Sequence, residues 1–180
     1  MPTEPSTEML TEIVGSVFET MMSLEVVRSW TPWVPSVERW TSVVHLAGPW
    51  NGAFLLECDQ GEACRFAGRF LSIDPPDAVD EAAVSVLGEI VNMIGGNMKC
   101  VMTPGIVLSI PSVANGYGLN FDGVEVRDRL GFRCAEGDFW VTVLSIPYSS
   151  TDSYKSPPEG SAPATARAEV LCGYRSDGNS

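Results

Sequence analysis

A chain of 180 residues and 19.4 kDa has room for one domain with a core of its own. Hydrophobic residues make up 44% and charged residues 19%, a globular balance that excludes disorder for most of the chain. Eleven Lys and Arg against 23 Asp and Glu leave a net charge of −12, which argues against nucleic acid and against an anionic membrane surface as partners. No apolar run is long enough to span a bilayer. No basic segment precedes an apolar one near Met1, so a cytoplasmic protein without a signal peptide is expected. Five cysteines, with no CxxC spacing and one histidine in the chain, argue for reduced thiols rather than a structural zinc site.

In chain order, a polar lead (1–7) gives way to Met9, Leu10, Ile13, Val14, Val17, Phe18, Met21 and Met22. That spacing predicts an amphipathic helix starting near Ser6 or Thr7. Trp30, Trp33, Trp40 and Trp50 then alternate with Pro32, Pro35 and Pro49, which break helices. The segment reads as a loop entering a strand at about 41–47, then a turn at 48–52 and a second strand at 53–58, together a hairpin. The tryptophans read as core or dimer-interface packing rather than a ligand platform. Residues 60–72 suit a short helix.

A long helix follows at about 77–99, with Asp77, Asp80 and Glu81 at its positive end and Lys99 at its negative end. Residues 106–110 read as a strand, 114–120 as a Gly- and Asn-rich turn, and 124–134 and 139–146 as a hairpin around 135–138. The last 34 residues, from Pro147, are rich in Ser, Pro, Gly and Ala and read as a mobile tail. The fold class is therefore α+β: an antiparallel or mixed sheet with helices packed on one face, as one domain over 8–146 and a tail over 147–180.

The long helix carries the one chemically suggestive pattern. Ala83, Val86, Leu87, Ile90 and Ile94 form an apolar stripe. Ser85, Glu89, Asn92 and Gly96 follow spacings of four, three and four on another side. Glu89 and Asn92 lie ~60° apart at ~100° per residue, so both can reach one external object. Asparagine is a mediocre helix former, and Gly88, Gly95 and Gly96 each cost ~1 kcal/mol in a helix interior. Small residues there let another backbone come close. A solvated helix face and a functional face are both compatible with this pattern. His45, in a predicted strand without a nearby carboxylate, reads as structural, and Asn97 as a helix-end hydrogen-bonding residue.

Leu87-Gly88-Glu89-Ile90-Val91-Asn92-Met93-Ile94-Gly95-Gly96-Asn97 resembles the GE-x-x-NM-I-x-GN signature of the CheX family, in the CheC/CheX/FliY class of chemotaxis phosphatases. Ser109-Ile110-Pro111-Ser112-Val113, followed by Gly116, resembles that family's second landmark. Val17-Phe18-Glu19-Thr20-Met21-Met22 resembles its first helix. The likeness runs over about 8–146. Glu12-Ile13-Val14-Gly15 echoes Glu89-Ile90-Val91-Asn92, with glycine where the asparagine would stand.

The resemblance implies a CheC/CheX-like fold and hydrolysis of the aspartyl phosphate on CheY-like response regulators. Asn92 would orient a water for in-line attack, and Glu89 would pair with the regulator's lysine. Ser85, Gly88 and Gly96 would line the partner-binding face. No cofactor is expected on this chain, with magnesium held by the partner receiver domain. A homodimer is expected from the same resemblance. The alternative is a CheX-like module that docks receiver domains, or serves as a dimerisation domain, without catalysis.

Overall fold

The computed structural model describes residues 1–116 and 124–146. The mobile tail expected over 147–180, with Cys172, and the second half of the 114–120 turn lie outside the described residues. The elements are α1 (Thr7–Met22), β1 (Val27–Ser29), β2 (Arg39–Ala47), β3 (Gly52–Asp59), α2 (Gln60–Leu71), α3 (Glu81–Val101), β4 (Val107–Leu108), β5 (Ser112–Asn115), β6 (Glu125–Cys134) and β7 (Gly137–Ser145). The strands form one sheet in the order β1-β6-β7-β3-β2-β4, with β5 also on β2, and every pairing is antiparallel. The class is α+β, and the antiparallel alternative is the correct one.

Register pairs reveal the two faces, since residues opposite each other share a side of the pleat. Val44 faces Phe54, Leu56 faces Val141, and Phe132 faces Phe139. All are buried in the main core beneath the helices. Phe18 of α1 stacks on Phe139 at 4.4 Å between centroids and meets Phe66 of α2 edge-on. The alternate residues, Val43, Ala53, Leu55 and Leu144, form a small second cluster on the outer face. Helices therefore cover one side only.

Several boundaries differ from the sequence reading. The long helix starts at Glu81 rather than 77, because the Asp80 carboxylate accepts from the Ala83 N–H at 2.9 Å and serves as its cap. β5 begins before the expected turn and takes in its first two residues, Ala114 and Asn115. It is an edge strand that pairs only with β2, through Val43–Ser112 to Trp40–Asn115, so it needs no strong apolar alternation. β1 was invisible for a similar reason: three residues held by non-local pairing to β6.

The tryptophans do not act together. Trp50 is buried in the core and Trp40 packs against it. Trp33 lies half-buried on the outer face, and Trp30 is 87% exposed.

Candidate functional site

α3 lies between α1 and the β2 edge of the sheet, and its rotation is fixed by a wide buried side. Ala83, Val86, Leu87, Ile90, Val91, Ile94 and Met98 all enter the core. Gly95 permits the closest approach: a β-carbon there would stand 2.8 Å from Val44 Cγ1 and 3.0 Å from Leu108 Cδ2. Burial of this side leaves one wedge of the helix facing outward. At ~100° per residue, Asn92, Ser85, Gly96 and Glu89 fall within ~60° of one another in that wedge.

Their accessibility agrees with that rotation. Ser85 and Glu89 are exposed, and Asn92 and Gly96 are half-buried. Space around Gly96 is open, with nothing within 4 Å of a β-carbon placed there. Gly88 is a correction to the expected partner-binding set. It is buried, and the space beside it is taken by Pro111 and Val113 of the same chain, 3.7 Å from a β-carbon. The close approach that glycine allows at 88 and 95 is to this chain's own sheet edge.

Glu89 and Asn92 make no side-chain hydrogen bond or ion pair with any other described residue. Asn97, next in sequence to Gly96, differs: its Nδ2 donates to the Met93 carbonyl at 2.9 Å, inside the helix rather than at its end. The Asn92 amide thus retains both a donor and an acceptor, and the Glu89 carboxylate retains its lone pairs. On α1, Glu12 is exposed and Gly15 has open space around it, so that helix offers a carboxylate without an amide.

The Ser109-Ile110-Pro111 loop closes the β2 side of the wedge. Ser109 N–H donates to the His45 carbonyl at 2.9 Å, and its Oγ accepts from the His45 N–H at 3.0 Å. The same hydroxyl donates to the Ile110 carbonyl at 2.8 Å. This serine replaces a ladder position that the strand itself cannot provide. The motif was visible in the sequence, but the serine's clamping role was not. His45 is half-buried, and desolvation lowers its pKa from the ordinary imidazole value.

Among the described residues, no group of three or more His, Cys, Asp or Glu is placed to hold a metal ion. Cys58 and Cys64 are buried, Cys134 is half-buried, Cys100 is exposed, and all four are free. Burial pushes the Cys58 thiol far above its usual range, which leaves it a packing residue. No helix among the described residues is long and apolar enough to cross a membrane.

Among the described residues, a seven-stranded antiparallel sheet with three helices on one side makes a CheC/CheX-like fold. The chain belongs to the CheX family, whose sequence model, described as chemotaxis phosphatase CheX, matches residues 40–131. Among solved structures it resembles the chemotaxis protein CheX from Vibrio vulnificus, with 19% identity, a TM-score of 0.64, and coverage of 79% of this chain and 97% of that one. It resembles likewise a CheX–CheY–BeF3–Mg complex from Borrelia burgdorferi, with 20% identity, a TM-score of 0.62, and coverage of 77% and 95%. The FliM middle domain from H. pylori shares the fold at 10% identity and a TM-score of 0.53, covering 79% of this chain and 94% of that one. No curated protein matches the chain.

Proposed function

We propose that this protein hydrolyses the aspartyl phosphate of CheY-like receiver domains, with Asn92 orienting the attacking water and Glu89 pairing with the receiver's active-site lysine. The reading rests on one observation: both side chains lie in one outward wedge of a helix and make no hydrogen bond or ion pair among the described residues. An acyl phosphate is intrinsically reactive, and phosphoryl transfer asks mainly for position and charge. The amide oxygen accepts from the water while the amide nitrogen donates to an oxygen of the phosphoryl group. The water oxygen bonds to phosphorus as the bond to the aspartate oxygen breaks. The aspartate leaves as carboxylate, and inorganic phosphate takes both of the water's protons as H2PO4−, one of which it then exchanges with solvent. Magnesium belongs to the receiver and neutralises phosphoryl charge there. Such receivers are cytoplasmic, which makes the cytoplasm the proposed site of action.

Ser85 and Gly96 border the pair and would meet the receiver surface first. A docking module without catalysis is the competing reading; the FliM middle domain, which is not described as a phosphatase, shares the fold. The Glu–Asn pair separates the two, because docking alone does not need a free carboxamide at the centre of the face.

The test is loss of phosphoryl label from phosphorylated host receivers with and without this protein. Wild type is expected to accelerate it, and Asn92→Ala to remove about a hundredfold or more while binding persists. Rates equal to buffer across the host's receivers would overturn the proposal in favour of docking. A homodimer is proposed alongside it, and a solution mass of 19.4 kDa by light scattering at micromolar concentration would count against that.

A further inference from the structure

The open wedge of α3 and the Ser109–Pro111 loop form two sides of one corner. Contacts fix both ends of the loop against the helix: Pro111 lies against Gly88, and Leu108 against Gly95. Asn92 lies on the same side of α3 as those glycines, ~40° from the first and ~60° from the second. Ser109 and Ile110, between the two contacts, therefore run past the helix turn that carries Asn92.

Ile110 is 86% exposed. A single exposed apolar side chain is ordinary on a protein surface, but the backbone here is built to present this one. Between the pairs Leu46–Leu108 and Val43–Ser112, the edge segment holds one residue more than β2 opposite it. That is a β-bulge, a device that re-aims a side chain out of the pleat. Ser109 ties the bulge to His45 on both of its backbone groups and also holds the Ile110 carbonyl. Pro111 fixes its own φ and keeps Ile110 extended. The isoleucine is thus preorganised, and little conformational entropy remains to be lost on contact.

Charge supplies the second reason. A chain of net charge −12, presenting Glu89, must approach a phosphorylated aspartate. Like charges steer poorly and cost affinity, so polar contacts at the centre of this face orient the partner better than they hold it. Apolar contact beside them has to supply the attraction.

We propose that Ile110 is a specificity-determining residue, an apolar knob that seats in an apolar hollow of the receiver domain beside its phosphorylation site. This deepens, and rests on, the assignment of the α3 wedge to receiver domains. The test is titration of host receivers, loaded with magnesium and beryllofluoride, against wild type, Ile110→Ala, Ile110→Leu and Asn92→Ala. Unfolding temperatures serve as a control, because an exposed side chain leaves the core untouched.

Ile110→Ala is expected to weaken binding about tenfold or more, and Ile110→Leu to restore most of it. In steady-state hydrolysis, Ile110→Ala should raise KM and retain kcat, the reverse of Asn92→Ala. Undiminished binding by Ile110→Ala overturns the anchor and leaves the phosphatase reading standing. Binding without hydrolysis by wild type overturns the phosphatase reading, and the titration still judges Ile110. Failure of wild type to bind any loaded receiver overturns both.

Discussion

Two carboxylates on different surfaces of this protein, Glu57 and Glu89, have opposite character. On the outer face of the sheet, Glu57 is 5% exposed. It accepts from Trp33 Nε1 at 3.1 Å and from the Thr142 hydroxyl. Thr142 in turn accepts from Arg129 Nε at 2.9 Å, and the Arg129 guanidinium lies 3.9 Å above the Trp33 ring. Arg39, equally buried, is tied to Asp59 at 2.8 Å and to the Val34 carbonyl, and lies over Trp140. The tryptophan-bearing segment is drawn onto the sheet by these bonds. On the α3 wedge, Glu89 and Asn92 bind nothing in the described chain. A carboxylate whose lone pairs are occupied holds a loop in place. One whose lone pairs are free is available to another molecule.

The comparison breaks most sharply at Asn92 and Glu57. Asn92→Ala is expected to remove the hydrolytic acceleration while unfolding temperature stays at the wild-type value, since an outward side chain costs little stability. Glu57→Ala is expected to do the reverse. It leaves Trp33 Nε1 and Thr142 without their buried acceptor and Arg129 without the counter-charge 3.7 Å away, and should lower stability by about 3 kcal/mol in urea unfolding. Receiver dephosphorylation by the folded fraction should persist. If Glu57→Ala alone abolished hydrolysis at full folding, the outer face would be the functional one.

Two adjacent glycines sharpen the same contrast. Gly95→Ala drives a methyl group into Val44 and should cost about 1–3 kcal/mol. Gly96→Ala meets open space and should add about 0.5–1 kcal/mol by improving helix propensity. Its methyl group would nonetheless stand in the proposed docking wedge, so receiver affinity should fall as stability rises. Chemical unfolding and a binding titration on the same sample check both signs.

The smallest expected effect concerns pH. Burial lowers the His45 pKa from 6.5, so the unfolded chain binds the extra proton more readily. This residue's contribution is fully present above 6.5, and it is lost as pH falls through the window between 6.5 and the lowered folded value. Wild type should therefore lose stability across that window relative to His45→Gln. Parallel profiles for the two proteins would remove His45 from the account.

The periodicity of α1 and α3, the two hairpins and the Glu89–Asn92 pair were legible in the sequence, because local spacing alone decides which residues share a helix face or a strand side. The Ser85, Glu89, Asn92 and Gly96 grouping needed only the turn of a helix. Gly88 was misread because spacing says that a side is bare without saying what fills it, and Pro111 and Val113 arrive there from more than twenty residues away. The same limit hid β1, β5, the bulge at Ile110 and the Glu57 network. Each depends on pairing between segments distant in the chain, and only the assembled sheet brings those segments within hydrogen-bonding reach.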